Sequence, residues 1–315
     1  MRHAILGAGG VGLALGAALT RGGHDVTLVM RESTRARYSG VIDVHSRLRG
    51  DHSVKARAVD RLDEPVDVLW VTVKAPALGA ALARIAASSA PGAVVPLLNG
   101  LDHPRLLRAR FGTRQVVGAI RVEAERTGPG RVTWNSLFAE VSLAAEEADP
   151  GGTAVTSLGQ ALADAGIGCV HEPDAASVLW RKLVLLLPLA LATTAADGPL
   201  GVVRRQAGLL TLLHGAAREA CAVAAADAVA VDDRNLVRTL DKLPGRTDTS
   251  LHRDVAAGVR PTELAALTEP VLRRAREHHV PVPAIAELAR RAAERERQAE
   301  TPAPHGSTYS NGETS

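Results

Sequence analysis

The sequence predicts an α/β protein, a doubly wound sheet followed by an all-helical C-terminal domain. Three observations predict it. A glycine-rich turn joins the first apolar segment to the first helical pattern, strand and helix patterns alternate through the first half, and from Asp174 the pattern is helical to about Gln298. His3–Leu6 reads as a short strand, Val11–Thr20 as a helix and Asp25–Met30 as a second strand. Val66–Val73 is a near-continuous apolar run, the pattern of a strand covered on both faces. Pro76–Ser88 reads as helix and Ala93–Leu98 as another buried strand. Segments 115–124 and 131–144 read as strands that extend the sheet, with Gly128-Pro129-Gly130 as the turn between them. A helix near 151–165 and a strand near 167–171 complete this half. Glu172-Pro173 then breaks the chain and Asp174 is placed to cap the next helix. The expected domains are therefore 1–173 and 174–299, with a disordered Pro-, Ser-, Thr- and Gly-rich tail over 300–315.

Length and composition fit that division. The 315 residues suffice for two cores, and 46% hydrophobic with 23% charged residues is the balance of a globular protein. Aromatics are only 2%, so Leu, Val, Ile and Ala must fill those cores. The net charge is +3 with Lys and Arg scattered, which argues against nucleic acid as a partner. Cys169 and Cys221 lack any metal-ligand spacing and read as free thiols, so no metal is expected. A signal peptide is not expected, because the glycine turn begins by Gly7. The most apolar run, Leu183–Ala192, is about half the ~20 residues that span a bilayer and contains Pro188, so it reads as a buried helix with no membrane partner. The expected location is cytoplasmic.

Gly7-Ala8-Gly9-Gly10-Val11-Gly12 is a GxGxxG that follows one strand and opens one helix. Gly7 permits the tight turn, Gly9 lets backbone approach a pyrophosphate and Gly12 allows helix and strand to pack closely. The helix start then offers free N–H groups and a partial positive charge to phosphates. This Rossmann-type arrangement points to a dinucleotide. The second strand ends at Arg31, nineteen residues after Gly12, where enzymes that use NAD carry an acid for the ribose 2′-hydroxyl. A guanidinium suits a 2′-phosphate, so NADPH is the expected cofactor, with Arg35 or Arg37 as further phosphate ligands. Glu32 is the one nearby residue suited to NAD instead.

With Arg31 and the glycine motif, several further segments resemble the ketopantoate reductase family. They are Val73-Lys74-Ala75, Leu98-Asn99-Gly100-Leu101, Trp180-Arg181-Lys182-Leu183, Ser250 with Asp254, Pro261-Thr262-Glu263, and the run Arg276 to Pro283. They occur in the family's order over nearly the whole chain. The resemblance implies reduction of a ketone by hydride transfer, with Lys182 as the catalytic lysine and Glu263 as the acidic residue that holds substrate. It implies substrate binding by Ser250 and Asn99, and places Asn99 and Lys74 near the cofactor. Chemistry supports these roles, since an ammonium beside a carbonyl stabilises the developing alkoxide and supplies its proton. Structural alternatives remain for each: Lys182 as a helix-surface lysine, Glu263 as a helix-start acid, Ser250 and Asn99 as loop residues.

The family pattern breaks at three positions. Members carry asparagines four, eight and eighteen residues beyond the lysine, where this chain has Leu186, Ala190 and Leu200. Losing three hydrogen bonds weakens handling of a hydroxy acid by roughly 1.5–4.5 kcal/mol. Either the substrate is a less polar ketone, or Thr193, Thr194 or Asp197 replaces the lost amides. Thr193, eleven residues after Lys182, shares its helix face and is the expected substrate ligand. The expected function is an NADPH-dependent reductase of a 2-oxo acid or related small-molecule ketone. Ketopantoate reduction in pantothenate biosynthesis, an imine or amino-acid-type dehydrogenase, and a non-catalytic NADP-binding protein are the alternatives. A helical second domain of this kind can also support a homodimer.

Overall fold

The computed structural model describes residues 1–112, 115–144 and 153–299. The expected tail from Glu300 lies outside the described residues.

The chain begins with β1 (Arg2–Leu6), α1 (Gly10–Arg21), β2 (Asp25–Val29) and α2 (Glu32–Arg35). Next come β3 (Val41–His45), β4 (His52–Lys55), β5 (Arg57–Val59), β6 (Val68–Val71), α3 (Leu78–Leu82), β7 (Ala93–Pro96) and α4 (His103–Phe111). After these follow β8 (Val117–Arg121), β9 (Ala124–Gly128), β10 (Arg131–Trp134), β11 (Glu140–Ala144), α5 (Thr153–Asp164) and β12 (Gly168–His171). The remainder is helical: α6 (Ala175–Ala196), α7 (Leu200–Arg205), α8 (Ala207–Ala226), α9 (Asp233–Lys242), α10 (Ser250–Ala256), α11 (Leu264–Glu277) and α12 (Pro283–Gln298).

The main sheet is parallel, ordered β5-β2-β1-β6-β7. Its order reverses beside β1, the place where such sheets bind ligand beyond the strands' C-terminal ends. α1 is buried from Gly12 to Leu19 because it lies between this sheet and a second one, ordered β4-β3-β10-β9. The other face of the main sheet packs on α3 and α4 through Leu78, Leu82 and Leu107.

Three expectations need correction. Segments 115–124 and 131–144 are not two strands that extend the parallel sheet but four strands in two other sheets. β9 and β10 form a hairpin across the expected Gly128–Gly130 turn, while β8 and β11 pair with each other and with β12. The chain changes sheets where Asn135 N–H donates to Glu123 O (2.7 Å) and Ser136 Oγ accepts from Glu123 N–H (3.1 Å). Among the described residues, a Val94–Gln115 bridge joins this part to the parallel sheet. The helix expected over Pro76–Ser88 is only α3 between two 3₁₀ turns, because Leu62 draws the backbone of Arg84 and Ala86 into a bridge. The Leu183–Ala192 run belongs to a 22-residue helix, long enough by itself to cross a bilayer, as is α8. In α6 that apolarity is used in packing: Leu183, Leu187 and Leu191 lie in the core of the helical half with Leu213, Ala217 and Ile285. As expected, Asp174 caps α6, its Oδ1 accepting from Ser177 N–H at 2.7 Å.

Candidate active site

The glycine turn has the geometry its chemistry requires. Gly7 sits at φ +114°, and a Cβ there would meet Val73 N at 2.9 Å. A Cβ on Gly12 would lie 1.9 Å from Gly7 O, an oxygen already bound by Thr72 Oγ at 2.8 Å. One on Gly10 would lie 2.2 Å from Ala124 O, so the start of β9 packs directly on this turn, with Ala8 and Val11 part of the same cluster. Gly9 alone among the motif's glycines faces open space. Backbone packs on three sides and the fourth is free for a pyrophosphate over the unsatisfied first amides of α1. The residues fit the phosphates of a nicotinamide dinucleotide. Beyond β2, Arg31 is exposed and precedes α2. Arg35 pairs with Asp60 (3.2 Å) and Arg37 Nε donates to Ser33 O (3.2 Å), whereas no acid engages Arg31 among the described residues. Glu32 stands in the first turn of α2, where the helix dipole favours it.

The chemistry-bearing residues converge from both halves of the chain. Lys74 and Asn99 follow the C-terminal ends of β6 and β7; Lys182 lies in α6 and Glu263 caps α11. Glu263 is 5% exposed and spans the cleft: Asn99 Nδ2 donates to its Oε2 (3.1 Å) and Ala75 N–H to its Oε1 (3.3 Å). Lys74 Nζ pairs across the same cleft with Asp254 Oδ2 at 2.5 Å. Ser250 stands one helical turn before Asp254 at the exposed start of α10, on the face that carries Asp254.

Lys182 lines a small pocket with Leu98, Asn99, Gly100, Ala119, Leu179, Leu183 and Leu186, with a volume of about 10 Å³, room for one water. Its side chain is only partly covered overall, but its surroundings strip water from the charge. Burial pushes the ammonium from the usual lysine range down to about 8, and the Glu263 carboxylate opposes that shift. The amine is thus still protonated at neutral pH yet gives up its proton far more readily than an exposed lysine. On its other side Lys182 lines a groove of about 430 Å³ between α6, α9 and the β8, β11 and β12 sheet.

The structure separates the substituted positions. Leu186 lines the pocket, whereas Ala190 and Leu200 are both 0% exposed in the helical core. Thr193, expected to bind substrate, is also 0% exposed and its hydroxyl is taken up by Leu189 O, Ala190 O and Thr249 Oγ (2.8, 3.2 and 2.9 Å). Thr194 likewise donates to Ala190 O, at 2.7 Å. Beside Pro188, which has no N–H to give the helix, both threonines serve the backbone rather than the cleft. Asp197 pairs with Arg295 and faces His252.

Reading the sequence missed Asp254 as the partner of Lys74, and Asp102, which binds Arg273 (2.6 Å) and Arg274 (3.7 Å) of α11. The one available signal was spacing, since Asp254 lies four residues after Ser250 on a helical pattern. No cluster of three or more His, Cys, Asp or Glu suited to a metal occurs among the described residues.

Comparison with known proteins agrees with this geometry. The family profile described as ketopantoate reductase PanE/ApbA matches residues 3–146, and that of its C-terminal part matches residues 174–296. The 2-dehydropantoate 2-reductase of Halobacterium salinarum is 27% identical over 301 residues, covering 92% of this chain and 97% of that protein. A PanE/ApbA family ketopantoate reductase from Ralstonia eutropha superimposes with a TM-score of 0.82 at 25% identity, covering 96% of this chain and all of that one. D-Mandelate dehydrogenase, solved with NADH and anilino(oxo)acetate, shares the fold, with a TM-score of 0.84 at 18% identity over 96% of this chain and all of that one. A glycine cradle fit for a nicotinamide dinucleotide, a desolvated lysine facing a carboxylate across the cleft, and profile matches over both halves lead to one assignment: the chain belongs to the ketopantoate reductase family, oxidoreductases that act on CH–OH and C=O groups with a nicotinamide cofactor.

Proposed function

We propose that the protein reduces a 2-oxo acid or related ketone with an apolar side chain, using NADPH, with Lys182 as the general acid. The observation that carries this reading is the position of Lys182, a desolvated ammonium at about 8 in a pocket whose walls are otherwise mostly Leu and Ala. When bound, NADPH supplies the hydride that reduces the carbonyl carbon. Lys182 Nζ gives its proton to the carbonyl oxygen, and the resulting amine regains one from solvent. Asn99 takes the substrate's polar end, Glu263 orients Asn99 and faces the Lys182 ammonium, and Ser250 lies at the cleft mouth. Gly7 to Gly12 cradle the pyrophosphate, Arg31 takes the 2′-phosphate and Lys74 lies beside the cofactor. The side chain lies against Leu186, where an asparagine would bind a hydroxyl. Ketopantoate, which carries that hydroxyl, is the second reading, supported by Lys182, Glu263 and Asn99 all being in place.

The test is NADPH oxidation with ketopantoate and with 2-oxo acids bearing branched or aromatic side chains, on wild type and Lys182→Ala. We expect a higher kcat/KM for the apolar acids, a loss of at least ~100-fold in the variant with NADPH binding kept, and a rate that falls as pH rises through about 8. Ketopantoate as the best substrate would sink the apolar assignment, and full turnover by Lys182→Ala would sink the mechanism.

A further inference from the structure

The short helix α10 carries Ser250 and Asp254 one turn apart, and Asp254 meets Lys74 across the cleft at 2.5 Å. His252 lies midway between them in sequence, which places it on the opposite side of the helix. Its side chain is 12% exposed and stands between two carboxylates. Nδ1 is 2.7 Å from Asp248 Oδ1, and because a carboxylate only accepts, Nδ1 carries a proton. Nε2 is 3.7 Å from Oδ1 of Asp197, the residue that caps the C-terminal end of α6. Behind these acids stand two guanidiniums: Arg295 of α12 pairs with Asp197, and Arg253 of α10 lies 3.8 Å from Asp248. Only the imidazolium presents an N–H to both acids; a neutral ring keeps its proton on Asp248 and turns a lone pair toward Asp197. The hydrogen bond to Asp248 is the main force lifting the imidazole above the usual histidine range. Burial opposes it, and the charges of Asp248 and Asp197 add to it. Because the folded value is the higher one, this contact is complete below pH 6.5 and is lost as pH rises through the folded value.

We propose that His252 is a positioning residue: its charged ring ties the back of α10 to the end of α6 and so sets Ser250 and Asp254 at the cleft. The inference rests on the reading of Ser250 as a substrate-facing group. When the ring loses its proton to solvent, the attraction to Asp197 is lost and the corner loosens. The rest of α10 stays in place at any pH, because Leu251 and Val255 are buried and the Thr249 hydroxyl meets that of Thr193 at 2.9 Å. The effect therefore falls on how α10 presents its cleft face, and on substrate binding more than on the chemical step. A histidine that merely filled space would alter KM by the same factor at every pH when replaced.

The first arm of the experiment needs no substrate. The His252 ring and the Ser250 and Asp254 amides of the full-length protein are followed by NMR across a pH series, in wild type, Asp197→Asn and His252→Gln. In wild type the ring should titrate above pH 6.5 and both amides should move with the same midpoint. Asp197→Asn should lower that midpoint by about 0.5, and His252→Gln should abolish the amide transition. The second arm measures NADPH oxidation with 3-methyl-2-oxobutanoate or ketopantoate, whichever is reduced faster. KM should rise roughly three- to tenfold as pH passes the His252 midpoint. His252→Gln should hold the raised KM on both sides of it, with kcat within about twofold of wild type. A ring that titrates at or below 6.5, amides that ignore it, or a KM step kept in His252→Gln would each overturn the proposal. Should His252→Gln not fold, Asp197→Asn decides: a lowered midpoint supports the tie and an unchanged one overturns it. Amides that follow His252 while KM stays level would support the tie and refute the substrate-facing reading of Ser250, so the two failures are distinguishable.

Discussion

His3 is enclosed in β1, 1% exposed, where its Nδ1 accepts from Trp70 Nε1 at 3.0 Å and its ring meets His24 edge-on. Burial is the main force pushing the imidazole down to about 4, with His24 and the N-terminal ammonium adding to it and Asp67 opposing. Because the folded value lies below the unfolded one of 6.5, the unfolded chain binds the proton first as pH falls. Stability attributable to His3 is therefore complete above pH 6.5, is lost between 6.5 and about 4, and is level below that. We expect His3→Gln, which keeps an acceptor for Trp70 but does not titrate, to remove up to ~3 kcal/mol of this dependence, read from denaturant unfolding across the window. An unchanged slope would show that the ring is not buried as described. Burial works in the same direction on Lys182, whose proton the proposed reaction uses.

Among the elements, α11 does the most to assemble the site. Its N-terminal cap is Glu263, its Arg273 and Arg274 hold Asp102, and its Ala266 carbonyl meets Gly100. Pro270 within the helix supplies no N–H to Ala266 O, so the carbonyl lacks its usual helical donor. Gly100 has φ +92°, and a Cβ there would lie 2.6 Å from that oxygen. Gly100→Ala should thus push α11 away and part Glu263 from Asn99. We expect a thermal melt lowered by several degrees and kcat/KM reduced by at least ~10-fold, with binding of the nicotinamide cofactor kept. Wild-type kinetics would exclude this close docking.

The two halves of the molecule meet along an apolar seam, Val117, Ala119 and Ala144 against Val178, and across the cleft through polar links, Lys74–Asp254, Asn99–Glu263 and Asp102 with Arg273. The Lys74 side chain is 43% exposed and Arg273 44%, so water and salt screen both ion pairs. Links of this kind contribute ~0–1 kcal/mol each, which suits a cleft that must open to exchange substrate and product. A double-mutant cycle on Lys74→Met and Asp254→Asn should give a coupling below ~1 kcal/mol in unfolding. A coupling of several kcal/mol would mean that the cleft is locked, not latched.

By itself the sequence determined the Rossmann-type fold of the first half, the helical second half and the family. GxGxxG, the strand ends at Arg31, Lys74 and Asn99, and the Asp174 cap are local signals, each legible within a few residues because turn geometry and helix ends depend on near neighbours. It also showed that Leu186, Ala190 and Leu200 depart from the family pattern, but not that only Leu186 lines the pocket. Strands β3 to β5 went unread because they are short, half-exposed and rich in polar residues, and β8 to β11 were merged because only long-range pairing says which sheet a strand joins. Tertiary structure alone decided that the Thr193 hydroxyl faces Thr249, that Glu263 reaches Asn99 across 164 residues of chain, and that Lys182 is desolvated. The physical reason is the same in each case: burial and charge proximity are set by which elements pack together, and helical spacing gives the face of a residue but not what lies opposite it.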